Sequence, residues 1–170
     1  WIFAEDVVQT DPNTHHVVKA MQGLDLLVVQ EIFMSETAKM ADVVLPGTTF
    51  LEKSGTFTNT ERRIQQVNAA VKPLPGTKTD GQIIVEMMRK LGFEQPDFNA
   101  ELVLKEIASV VSFFEGVTWE GLRASPMGLQ WPVNKKGEDT QILHIGEFKR
   151  GKGKFHYHDW KESEELTKHK

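Results

Sequence analysis

Asp6 stands where the apolar triplet Trp1-Ile2-Phe3 gives way to a turn, and Thr10 follows just before Asp11-Pro12. A carboxylate at a strand end can accept two N–H bonds from the Watson–Crick edge of guanine. The N–H groups and partial positive charge of a following helix suit a phosphate. The simpler reading is that Thr10 and Asp11 only cap a helix, and position alone leaves both readings open. Gln30 closes the apolar run Leu24–Gln30, where its amide can meet a ligand or satisfy loop backbone. Asp80, in the turn Lys78-Thr79-Asp80, is either a ligand contact or a first-turn carboxylate favoured by the helix dipole. Gly55 would let a ligand approach the backbone closely. Arg62 and Arg63 form a pair suited to phosphates or carboxylates, or to a solvated surface.

Other chemistries are disfavoured. His144, His156 and His158 form the one histidine cluster, and strand alternation explains their spacing more simply than a metal, whose usual ligand spacing they lack. No G-x-G-x-x-G follows a strand and no G-x-S-x-G is present. The absence of cysteine removes disulfides, thiol catalysis and thiolate ligation of an iron–sulfur cluster by these residues. A net charge of −4 argues against a nucleic-acid or anionic-membrane surface. No apolar run approaches the ~18 residues of a membrane span. No charged leader with an apolar h-region opens the chain, and the expected location is cytoplasmic.

The elements that must position these residues read as α/β. Leu24–Gln30 and Asp42–Leu45 are short, continuous apolar runs bounded by turn signals, the pattern of parallel strands covered on both faces. Polar residues follow each run, where open α/β sheets place ligands. Asp11 as N-cap and Pro12 as first helical residue predict a helix whose stripe is Val17, Val18 and Met21, closed by Gly23. Ser35 predicts a cap for Glu36–Met40, and Pro46 ends the second strand. Pro46–Arg63 reads as a long polar loop, and Arg63–Pro73 as a half-buried strand through Ile64, Val67 and Val71. Thr79 with Gln82 forms a capping box for Asp80–Leu91. Asn99 caps Ala100–Val111, with Leu102, Val103, Ile107 and Val110 expected inward. An irregular aromatic stretch, a short helix near Thr118–Arg123 and a strand at Gln141–Ile145 complete the reading.

The stretch VVQEIFMSETAKMADVVLPGTTFLEKSGTFTNTERRIQ, Val28–Gln65, resembles the catalytic subunit of molybdopterin oxidoreductases, specifically formate dehydrogenases. The resemblance runs from Ala4–Pro12 to Gly151–Phe155. It implies a Rossmann-like parallel sheet with flanking helices, part of a larger multidomain fold. Residues 1–49 would be a dinucleotide-binding segment, and 50–78 would reach toward an iron–sulfur domain. Residues 79–147 would return to the α/β domain, and 148–170 would lead into a C-terminal β-barrel. It further implies molybdopterin guanine dinucleotide with Mo or W as cofactor, contacted by Asp6, Thr10, Gln30 and Asp80, with Gly55 and Arg62 on the E-x-x-G-T-F-T-N-T-E-R-R segment. The implied reaction is reversible two-electron oxidation of formate to carbon dioxide. No catalytic residue or metal ligand of the family has a counterpart here, so the isolated chain is expected to be an inactive fragment. The implied partners are the remainder of the subunit, which would bind the iron–sulfur cluster, and hydrogenase- or NAD(P)-linked electron-transfer subunits. A self-standing guanosine- or pterin-binding module, and a related oxidoreductase with another substrate, are the competing readings.

Overall fold

The apolar runs near the start of the chain form three short parallel strands. In chain order the elements are β1 (Ile2–Phe3), α1 (Val7–Thr10), α2 (Thr14–Gln22), β2 (Val28–Glu31), α3 (Glu36–Lys39) and β3 (Val43–Pro46). The computed structural model describes residues 1–148 and 151–161. Among these residues the chain divides into two units: Trp1–Gly47 with Pro75–Lys78 and 154–161, and Thr48–Leu74 with 79–148 and 151–153.

In the first unit the strand order is β1-β2-β3, parallel throughout, with Phe3 opposite Gln30 and Gln30 opposite Leu45. Parallel neighbours cannot be joined by a tight hairpin, so helical crossovers intervene. Met21, Leu27, Val29 and Ala38 are buried together, with Ile2, Val17 and Val44 packed against them. The expectation of strands covered on both faces holds for Leu27–Gln30, while Leu24 and Leu26 of the same expected run precede β2 and are exposed. It fails at β3, an edge strand whose Val43 is 42% exposed. Asp11 does not cap the second helix. It closes α1, donating its N–H to the Val7 carbonyl at 3.2 Å, and α2 starts later behind Asn13. The unforeseen turn of α1 displaced the cap.

The second unit is antiparallel. It contains β4 (Gly55–Thr58), β5 (Arg63–Val67), α4 (Asp80–Lys90), α5 (Ala100–Val110), α6 (Trp119–Ala124) and β6 (Leu129–Gln130), with β5 between β4 and β6. Its core is Ile64, Leu104, Val117, Trp119, Leu122 and Val133. The helix caps fall where expected. Thr79 and Gln82 bond reciprocally at 2.9 and 3.4 Å, and Asn99 Oδ1 accepts the Leu102 N–H at 3.1 Å.

Four expectations are corrected in this unit. The strand expected over Arg63–Pro73 ends at Val67, and Val71 is exposed. The polar loop carries β4, whose alternation Gly-Thr-Phe-Thr is too short and too polar to announce itself as a strand. On α5 the buried residue is Leu104, while Leu102 and Val110 are exposed. That helix is apolar on more than one face, so periodicity alone could not choose the inward one. Gln141–Ile145 is a succession of bends rather than a strand. No helix among the described residues is long and apolar enough to cross a membrane.

Candidate functional site

At the carboxyl edge of the parallel sheet, Asp6 follows β1 and Gln30 lies near the end of β2. Asp6 Oδ1 accepts the N–H and hydroxyl of Thr37 at 3.0 and 2.6 Å, and Oδ2 accepts the Gln9 amide at 2.6 Å. Thr37 is fully buried in the first turn of α3, and its hydroxyl oxygen also accepts the Val8 N–H at 3.1 Å. Ser35 caps that turn through the Ala38 N–H at 3.2 Å. The Asp6 carboxyl is held below its usual range chiefly by the Thr37 hydroxyl. Desolvation opposes this, and the Thr37 N–H and Gln9 amide reinforce it. Asp6 is therefore an ionised acceptor at neutral pH that also ties the end of β1 to α3.

Thr10 is exposed, and its hydroxyl donates to Glu5 or to the Asp6 carbonyl at 3.2 Å. Gln30 is 1% exposed, and its own carbonyl accepts the Ala4 N–H at 2.9 Å. These three predicted residues thus share one edge of one unit. Exposed Ile32, Phe33 and Met34 follow β2 at the same edge.

Gly55 and Asp80 share a cleft of about 250 Å³ in the second unit, together with Lys53, Phe57, Thr79 and Phe98. Lys53 Nζ pairs with Asp80 Oδ2, and both side chains are about one-quarter exposed. At Gly81 a Cβ would lie 2.2 Å from the Phe98 ring, so only glycine lets that ring lie against the start of α4. At Gly55 a Cβ would meet only Ala100 at 3.9 Å, so the wall there has room.

Arg62 lies away from this cleft's lining, in the hairpin turn before β5, with a positive φ of 64°. Its guanidinium donates to the carbonyls of Trp131, Thr140 and Gln141, the last two at 3.1 and 2.9 Å, and sits over the Trp131 ring. It binds one strand turn to the segment after β6. Sequence reasoning missed Thr37, Gln9 and Lys53. For Thr37 a signal existed: a threonine in the first turn behind a capping serine presents both a hydroxyl and a free N–H.

A parallel β-α-β-α-β unit with acceptors at its carboxyl edge defines the class: a Rossmann-like α/β domain, of the kind that takes ligands beyond the strand ends. The family model described as molybdopterin oxidoreductase matches residues 1–90, and the chain belongs to that family. F420-dependent formate dehydrogenase subunit alpha of Methanocaldococcus jannaschii is 40% identical over 98% of this chain and 25% of its own length. F420-dependent formate dehydrogenase 1 subunit alpha of Methanococcus maripaludis is 47% identical over 85% of this chain and 22% of its own. Among solved structures, acetylene hydratase from Pelobacter acetylenicus superposes with a TM-score of 0.55 at 24% identity, covering 81% of this chain and 21% of that one. That likeness speaks for the fold. The chain spans about a quarter or less of the length of these curated relatives.

Proposed function

We propose that this chain is part of a formate dehydrogenase catalytic subunit, and that its first unit holds the guanosine end of molybdopterin guanine dinucleotide. Bound there, the cofactor would supply two-electron redox chemistry at Mo or W, oxidising formate reversibly to carbon dioxide. The relatives' names support the reaction. The observation that carries the binding role is Asp6, an ionised carboxylate fixed at the carboxyl edge of a parallel sheet.

The residues fit the group. A carboxylate offers about four acceptor positions, and Thr37 takes two on Oδ1. Oδ2 carries the exposed Gln9 amide, which can turn aside and leave that oxygen for the N–H edge of guanine. Thr10 and Gln30 add a hydroxyl and an amide at the same edge. Asp80 and Gly55 are proposed as a further contact region in the second unit. Arg62, engaged with three carbonyls, would act by holding the turn that carries the E-R-R segment. The iron–sulfur cluster, the electron-transfer subunits and a cytoplasmic setting belong to the same proposal, through the parts of the subunit outside this chain.

Asp6→Asn, placed in the full-length subunit, tests this by the GMP and metal released per protein on acid hydrolysis. The expected result is roughly a tenfold or greater weakening of cofactor retention, because an amide N–H would face a guanine donor. Thr37→Val removes one support of Asp6 without altering the acceptor facing the ligand, and should retain far more GMP. Full GMP occupancy in Asp6→Asn, or equal loss in both variants, would remove Asp6 from the site.

A further inference from the structure

Arg62 and Arg63 are adjacent in sequence and opposite in surroundings. Arg62 donates to three backbone carbonyls. Arg63 Nε is buried and makes no hydrogen bond among the described residues. The anion beside it is Glu61, whose Oε2 lies 3.6 Å from Nε, beyond hydrogen-bond reach. The turn explains the gap. The N–H groups of Glu61 and Arg63 both donate to Asn59 Oδ1 at 3.0 Å, and Arg62 between them holds its positive φ. Glu61 is tethered where its carboxylate does not close on the guanidinium. Its side chain is 67% exposed and that of Arg63 only 21%, so Glu61 can rotate into water while Arg63 keeps its place.

A guanidinium edge formed by Nε and one Nη presents two parallel N–H donors, which match the two oxygens of a carboxylate. We propose that Arg63 is a carboxylate-binding site, taking an incoming carboxylate side-on at its Nε edge in place of Glu61. A single negative charge fits better than two, because Glu61 remains nearby and leaves little net positive charge to hold a phosphate dianion. The carboxylate belongs either to an acidic side chain of another polypeptide segment or to a small free acid. The proposal is independent of the cofactor reading, since it concerns a residue outside the Asp6 edge and makes no use of the dinucleotide.

The test follows arginine Nε–H resonances of the 170-residue chain during titration with sodium acetate, at an ionic strength held constant with sodium chloride. One resonance, absent in Arg63→Lys, should move and saturate with acetate and not with chloride. Glu61→Gln, a change at an exposed side chain, removes the tethered competitor and should tighten acetate binding about three- to tenfold. Absence of a saturable shift in both the parent and Glu61→Gln would overturn the proposal. So would binding that survives Arg63→Lys, or a preference for inorganic phosphate over acetate. Arginine modification by phenylglyoxal, mapped by mass spectrometry, then separates the sources. Arg63 protected in the full-length subunit without added acetate indicates an acidic side chain, and Arg63 protected only by added acetate indicates a free acid.

Discussion

The parallel unit and the antiparallel unit place their charged residues differently. In the parallel unit, Asp6 and Glu31 stand at the strand ends, and Asp6 takes its donors from helix turns. In the antiparallel unit, Glu52 accepts the N–H groups of Thr49 and Leu74, Lys53 pairs with Asp80, and Arg62 clamps three carbonyls. The difference follows from backbone geometry. Parallel strands deliver all their carboxyl ends to one edge, where helix N–H groups also point. Antiparallel strands return on themselves, so polar residues at their turns are surrounded by chain and become ties.

That contrast can be broken or sharpened by substitution, beginning with the cores. Ile64→Ala empties a fully buried position beside Trp119 and Leu122, and should cost ~2–5 kcal/mol in denaturant unfolding. If the antiparallel unit did not carry its own core, the loss would fall to surface values. Arg62→Lys keeps the charge but loses the planar fork, and should cost roughly 1.5–3 kcal/mol. A change within experimental error would show that the three carbonyls do not depend on it. Lys53→Met breaks a pair whose side chains are about one-quarter exposed. The expected cost is at most about 1 kcal/mol, shrinking with added salt.

Acidity provides a further comparison. Asp6 and Glu52 both have their carboxyls held below the ordinary range, Asp6 mainly by the Thr37 hydroxyl and Glu52 mainly by the Thr49 N–H. Each therefore contributes stability that is present above its unfolded-state pKa, near pH ~4, and lost as pH falls through the lower folded value. Asp6→Asn and Glu52→Gln should each flatten the acid limb of the stability profile and leave its shape above pH ~6 unchanged. An unchanged acid limb would count against the ties described here. The smallest effect is expected at Val71, 55% exposed, where alanine should change stability by less than ~0.5 kcal/mol.

Legibility in the sequence varied by interaction type. The caps at Ser35, Thr79 and Asn99 were readable because a cap is satisfied within three residues. The parallel character of β2 and β3 was readable from continuous Val and Leu with Ser35 and Pro46 as punctuation. Asp11 was misplaced because a one-turn helix leaves almost no periodic signal. The hairpin at Asn59–Arg63 was hidden because its strand β4 alternates only small and polar residues with one phenylalanine.

The candidate residues show the same division. That Asp6, Thr10 and Gln30 stand beside apolar runs is a property of the chain, and residue type alone made each a plausible contact. What each side chain touches was decided by tertiary structure. Asp6 meets Thr37 across 31 positions, and Arg62 meets Trp131 and Gln141 across 69 and 79. Periodicity and capping rules reach only a few residues along the chain, while these partners are brought together by sheet register and by the return of the segment after β6. The sequence by itself determined the central apolar runs, the caps at Ser35, Thr79 and Asn99, and the acceptors available. The tertiary structure decided that the two arginines, alike in sequence, differ in surroundings: among the described residues Arg62 donates to three backbone carbonyls, while Arg63 Nε makes no hydrogen bond.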